Sequence, residues 1–274
     1  MGTMGRPAMP NQTDTPPVSL YHRDLGGSGD PPIVLLHGML GSSRNWQTAG
    51  RALAATRRVF ALDLRNHGLS PHADAMSYPS MAADVLAWLD AQGLGPAELV
   101  GHSLGGKVAM LLACRHPARV AQLVVVDIAP KAYSWPERRQ EFAAMNELDL
   151  ATLKSRADAE SRLEARVPGW AERKFLTTNL ERADGGWRWQ VNLPAITAAL
   201  PELEGNPLEA GDRYLGPALF ITGERSGYVK PGDREAILRH FPLARLVALP
   251  GSGHTPHIEA REAFVAAVAG PPGA

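Results

Sequence analysis

The chain has 274 residues, 45% of them hydrophobic, enough to bury one large core in a single α/β domain. Lys plus Arg and Asp plus Glu number 28 each, so the formal charge is zero and no basic or acidic run directs the chain to nucleic acid or an anionic membrane. One cysteine excludes an internal disulfide and a cysteine-based zinc site.

Residues 1–17 are polar and Pro-rich, end in Thr15-Pro16-Pro17, and read as a disordered tail without the apolar stretch of a secretory signal. No apolar run reaches the roughly 18 residues that cross a bilayer, which points to a cytoplasmic protein with no membrane partner. Short apolar runs follow at 33–36, 59–62, 99–100, 123–126, 219–221 and 246–249, each bounded by Gly, Pro, Asp or His. They are continuous rather than alternating, as strands buried on both faces are, and several of the stretches between them have helical character. The helix predicted over 80–92 carries Met81, Val85, Trp88 and Leu89 at helical spacing and stops at Gly93. A helix over 107–114 puts Cys114 on a packed face, as a core residue and not a nucleophile. A last helix runs over 259–268. The pattern predicts an α/β fold, a mostly parallel central sheet flanked by helices.

Beyond Pro130 the strand signal nearly disappears until about Pro217, and charged helical segments take its place at 137–148 and 150–165. Residues 130–204 therefore read as a helical cap inserted into a core made of 18–129 and 205–274. Inside that insertion, Trp187-Arg188-Trp189-Gln190-Val191 reads as a loop or short extended segment rather than a further strand of the sheet.

Gly101-His102-Ser103-Leu104-Gly105 follows the run at 99–100 and opens the helix over 107–114, the context of a nucleophile elbow. Such a turn exposes the Ser103 oxygen and brings neighbouring chain so close that Gly101 and Gly105 must be small. His37-Gly38 ends the run at 33–36, so the amides of Met39 and Leu104 become the candidate oxyanion donors. His37 itself reads as a holder of that loop, and it and His102 as neighbours of the substrate. For the base, Gly251-Ser252-Gly253 forms a short loop that delivers His254, while His257 opens the final helix and reads as a packing residue. The loop after the run at 219–221 contains no aspartate, whereas the run at 123–126 ends in Asp127, which keeps the order Ser, Asp, His. Asp127 is the candidate acid and Glu224 the reserve. Asp63-Leu64-Arg65-Asn66-His67-Gly68-Leu69-Ser70 reads as scaffolding in which Arg65 pairs with Asp63.

With these residues the chain resembles the α/β-hydrolase superfamily over 18–268. More narrowly, Gly101 to Lys107, Val126-Asp127-Ile128-Ala129-Pro130, Trp187 to Asn192 and Ser226-Gly227-Tyr228-Val229 resemble the YbfF-type esterases and their ABHD11-type relatives. The resemblance implies an acid at Asp127 with Ser where other members carry the acid, and hydrolysis of short acyl esters or thioesters such as acyl-CoA. The loop Gly223-Glu224-Arg225-Ser226-Gly227 departs from that pattern by carrying two charges, which leaves Glu224 open as an acid or a rim contact.

The sequence thus predicts a serine carboxylesterase acting on a small-molecule ester through Ser103, His254 and Asp127, with no metal or organic cofactor. Tyr133, Trp135, Phe142, Trp170 and Trp187 are the candidate pocket lining from the insertion. A thioesterase, lactonase or carbon–carbon hydrolase would use the same triad, since fold and triad do not set the leaving group. From another class, a ligand receptor could keep the fold without the chemistry. Epoxide hydrolases and haloalkane dehalogenases are excluded because they need an aspartate where Ser103 stands.

Overall fold

All six apolar runs are parallel strands of one sheet in the computed structural model, which describes residues 16–183 and 185–270. They are β2 (Ile33–Leu36), β3 (Val59–Leu62), β4 (Ala97–His102), β5 (Val120–Val126), β8 (Ala218–Gly223) and β9 (Ala244–Leu249). A seventh strand, β1 (His22–Gly26), adds antiparallel to β3, giving the order β1-β3-β2-β4-β5-β8-β9. The sequence reading missed it because an edge strand needs no apolar run, and this one, His22-Arg23-Asp24-Leu25-Gly26, stays half-exposed. The expected tail over 1–17 lies outside the described residues up to position 15.

The sheet is packed on both faces, which is why its strands read as unbroken apolar runs. On one face Val34, Leu36, Leu62, Leu99 and Val125 pack with helices α2 (Tyr78–Ala91) and α3 (Leu104–Arg115). On the other, Ile33, Leu35, Val59, Val100, Val124 and Val126 pack with α1 (Gln47–Leu53) and α10 (Arg261–Ala269). The neighbours Leu35 and Leu36 fall into opposite clusters, as the period of two demands. The helix expected over 259–268 is two pieces, α9 (Pro256–Glu259) and α10, broken at Ala260.

Between β5 and β8 lie α4 (Pro136–Glu147), α5 (Arg156–Leu163), α6 (Trp170–Thr177), a hairpin of β6 (Leu180–Ala183) and β7 (Gly186–Trp189), and α7 (Leu193–Leu203). The stretch 150–165 is not one helix. A short 3-10 turn at Leu150–Thr152 ends before Ser155, whose side chain accepts the Asp158 N–H and caps α5. Trp187 to Trp189 is the short extended segment rather than a loop: it pairs with β6 in a two-stranded sheet of its own and not with the main sheet. Apolar side chains of this segment, among them Phe142, Met145, Ile196 and Leu200, join the cluster on the α2–α3 face. The remaining helix, α8 (Arg234–His240), links β8 to β9.

Candidate active site

Ser103 stands alone between the end of β4 and the start of α3, at φ 50° and ψ −113°, a left-handed conformation that non-glycine residues avoid. The turn is held from both sides, by Ser103 N–H to Val126 O (3.0 Å) and Gly105 N–H to His37 O (3.1 Å). A side chain at Gly101 would meet Gly105 O at 2.3 Å, and one at Gly105 would meet Leu36 O at 2.5 Å. Only glycine permits this approach of three backbone segments, which sets Ser103 at the C-terminal edge of the sheet and at the positive end of α3.

The loop after β2 is fixed by two buried histidines. His37 donates from Nδ1 to Gly38 O (2.8 Å) and accepts the Leu64 N–H at Nε2 (3.0 Å). His67 donates to Arg65 O (2.9 Å) and accepts the Leu40 N–H (3.1 Å). Burial lowers the pKa of both, to about 3 for His67, and each ring must be neutral to accept at one nitrogen while donating at the other. Leu40 takes φ 59°, and Asn179 reaches across from the inserted segment to its carbonyl (3.0 Å). Among the described residues the Met39 and Leu104 amides donate to no protein acceptor, and both residues line the cavity that contains Ser103. Arg65 does not pair with Asp63. It forms a buried two-bond pair with Asp84 (2.6 and 2.7 Å), while Asp63 accepts the Ser43 and Leu69 N–H groups (2.6 and 2.8 Å) and braces the loop ends.

Asp127 follows β5 at φ 52° and is fully buried. Its carboxylate accepts three donors: His254 Nδ1 (2.7 Å), Gly223 N–H (3.1 Å) and the Ser226 hydroxyl. With Nδ1 donating, His254 keeps Nε2 free as an acceptor. The His254 ring is stacked under Tyr228 at 3.7 Å and 14°, and its carbonyl accepts from His102 Nε2 (2.8 Å). Burial holds His102 neutral. Ser103 and His254 line one cavity, although no hydrogen bond joins them among the described residues. Glu224 is exposed and accepts the Gly251 N–H (2.9 Å), so it braces the histidine loop and does not meet His254. His257 is buried against Trp46 (4.2 Å) with its pKa lowered to about 3, the packing role expected of it. Burial also pushes the Cys114 thiol up to about 12, far from nucleophilic use.

The cavity measures about 640 Å³. Of the aromatic residues expected to line it, Trp135 does so. Tyr133 stands behind it, its hydroxyl bound to Ala129 N–H and Tyr228 O. Phe142 is core, Trp170 is 67% exposed, and Trp187, on β7 of the hairpin, packs in a small cluster with Leu153 and Leu180. Helical spacing alone does not say which face of a short helix turns toward a cleft. The sequence reading missed Arg138, Phe175 and Tyr228 as lining, and Ser226 as a partner of the acid. Ser226 and Tyr228 stood in a quoted motif, but their partners lie 99 and 26 residues away and no local pattern connects them.

The alpha/beta hydrolase fold family matches residues 31–261. The sequence is 40% identical over 248 residues to the sn-1-specific diacylglycerol lipase ABHD11 of Xenopus tropicalis, across 88% of this chain and 77% of that protein. It is 36% identical over 238 residues to esterase YbfF of Escherichia coli (strain K12), across 86% and 91%. A solved structure described as a marine microorganism esterase superposes with a TM-score of 0.87 at 35% identity, covering 90% of this chain and 97% of that one.

Proposed function

Because the chain belongs to the alpha/beta hydrolase fold family and its relatives are esterases and lipases, we propose that it is a serine carboxylesterase acting on short-to-medium acyl esters through Ser103, His254 and Asp127. The observation that carries the reading is the bond from His254 Nδ1 to the buried Asp127, made beside the strained Ser103 turn in one cavity.

Ser103 Oγ attacks the acyl carbon while its proton passes to His254 Nε2, and Asp127 stabilises the imidazolium. The Met39 and Leu104 amides receive the oxyanion, an interaction whose loss costs about 10²–10³ in turnover where single donors have been removed. Collapse expels the alcohol, which takes the proton from His254. Water then attacks the acyl-enzyme with the same assistance, releasing the acid and restoring Ser103. In this reading residues 130–204 act as a cap, with Trp135 and Phe175 as apolar walls for the acyl chain. No helix among the described residues is long and apolar enough to cross a membrane, and we place the enzyme in the cytoplasm acting on a dissolved ester.

The test is hydrolysis of p-nitrophenyl esters from acetate to octanoate, with matched acyl-CoA thioesters and lactones alongside. Wild type should turn over the esters and be labelled by a fluorophosphonate, and Ser103→Ala should lose about 10⁶ of turnover and all labelling. Preference for thioester or lactone would change the substrate class and leave the machinery standing. A wild type that binds esters without cleaving them would favour a ligand receptor.

A further inference from the structure

The helix that begins beside the nucleophile carries a buried charged side chain that the proposed chemistry does not use. Lys107, one turn after Ser103, is fully buried, and among the described residues no carboxylate pairs with it. Its Nζ donates to Gly205 O at 2.5 Å and lies 4.9, 5.4 and 5.7 Å from the ring centroids of Tyr133, Tyr78 and Trp135. Aromatic faces take the place of a counter-ion here, a weaker substitute, so burial and then the nearby Lys131 charge bring the ammonium down to about 7. An arrangement this costly implies that the lysine holds something in place.

What it holds is the junction where the chain enters and leaves the 130–204 segment. Tyr133 N–H donates to Glu204 O (2.7 Å) and Trp135 N–H to Glu204 Oε1 (3.0 Å), so the two crossings run side by side. Tyr78 donates its hydroxyl to Leu203 O (2.5 Å), and Arg139 pairs with the Glu204 carboxylate. From this junction two paths lead to the cavity. Trp135 is itself a wall, and Tyr133 donates to Tyr228 O (3.0 Å), whose ring covers His254.

We propose that Lys107 is a positioning residue: it pins both crossings to the nucleophile helix and thereby sets where Trp135 stands against the bound acyl chain. Moving the crossings away would rehydrate the ammonium and return it toward its ordinary value of 10.5, so seating them releases a proton and is favoured as pH rises above about 7. Around the ammonium, burial holds Tyr78 and Tyr133 above their ordinary value, Arg139 keeps Glu204 low, Lys131 is paired with Asp233 at 2.6 Å, and Glu202 faces Tyr78 from the end of α7.

The kinetic arm of the test rests on the esterase reading, and the exchange arm does not. Lys107→Met keeps the unbranched apolar stem, one atom shorter, and removes the donor and charge. The expected result is a KM for p-nitrophenyl octanoate raised about tenfold with kcat for the acetate ester, per titrated active site, changed less than about twofold. Hydrogen exchange of the Tyr133 and Trp135 amides should speed up by a similar factor. In wild type the octanoate-to-acetate ratio of kcat/KM should rise between pH 6 and 9, a ratio from which any pH dependence common to the two substrates cancels, and in the variant it should be flat. A variant that lowers only the melting temperature, with wild-type KM and exchange, overturns the proposal, as does a wild-type ratio constant across that range. If wild type cleaves neither ester the esterase reading fails, and the exchange comparison alone then decides for or against Lys107.

Discussion

Replacing Asp127 by Asn keeps the volume of a fully buried side chain and alters what it can accept. The carboxylate receives His254 Nδ1, Gly223 N–H and the Ser226 hydroxyl. An amide has one oxygen and one NH₂ group, so with its oxygen on Gly223 N–H it turns a donor toward His254 Nδ1. The imidazole then keeps its proton on Nε2, the nitrogen that must take the Ser103 proton, and the imidazolium loses its compensating charge. A wrong tautomer of this kind costs about 10⁴ in kcat in a serine-protease triad, or ~5.5 kcal/mol at 1.36 kcal/mol per tenfold. The assay is p-nitrophenyl acetate hydrolysis by wild type, Asp127→Asn, Ser226→Ala and Glu224→Gln, each normalised by active-site titration. Ser226→Ala removes one charge-assisted donor worth roughly 1.5–3 kcal/mol and leaves the carboxylate, so about a 10–100-fold loss is the upper range expected. Glu224→Gln, which alters a contact to Gly251 N–H and none to His254, should stay within about twofold. Asp127→Asn retaining more than about a tenth of wild-type kcat, or Glu224→Gln as the most damaging change, would refute the assignment of the acid.

Three further perturbations test the packing around the site. Gly105→Ala places a methyl 2.5 Å from Leu36 O and 2.7 Å from His37 O, so it should cost about 3 kcal/mol and lower the melting temperature by roughly 6–12 °C in differential scanning calorimetry. Arg65→Met strands Asp84, whose carboxyl burial already raises, and should cost about 3–5 kcal/mol in urea unfolding, whereas Arg65→Met with Asp84→Leu should recover much of that loss. His67 and His257 are neutral in the fold with pKa values near 3 against 6.5 when unfolded, so the unfolded chain binds protons first as pH falls. The contribution of these two histidines should therefore be full above pH 6.5 and be lost between 6.5 and 3, and His257→Phe should make the decline of stability over that range shallower; equal slopes for variant and wild type would place the proton uptake elsewhere.

The parallel strands were legible because burial on both faces writes an unbroken apolar run into the sequence, and the Ser103 turn because close backbone approach admits only glycine at 101 and 105. Strand β1 was not, since an edge strand buries little and leaves no such record. The stretch at 187–191 read only as a loop or short extended segment, and the β6–β7 pairing was not legible, because its residues are only half-buried and it sits among helices. Among the polar residues, Arg65 looked local, as a partner of Asp63, and proved long-range, as the partner of Asp84.

By itself the sequence determined the class of fold, the order of Ser103, Asp127 and His254 along the chain, and the type of turn that carries the first of them. Those features depend on local backbone sterics and on burial of whole segments, and both leave periodic or positional marks in the chain. Only the tertiary structure decided that Asp127 and Ser226 meet, that Tyr228 covers His254, that Trp135 faces the cavity while Phe142 and Trp170 do not, and that Lys107 lies under the junction at 133–135 and 203–205. These contacts join residues far apart in sequence, and the packing of whole elements against one another, not any local preference, brings them within reach.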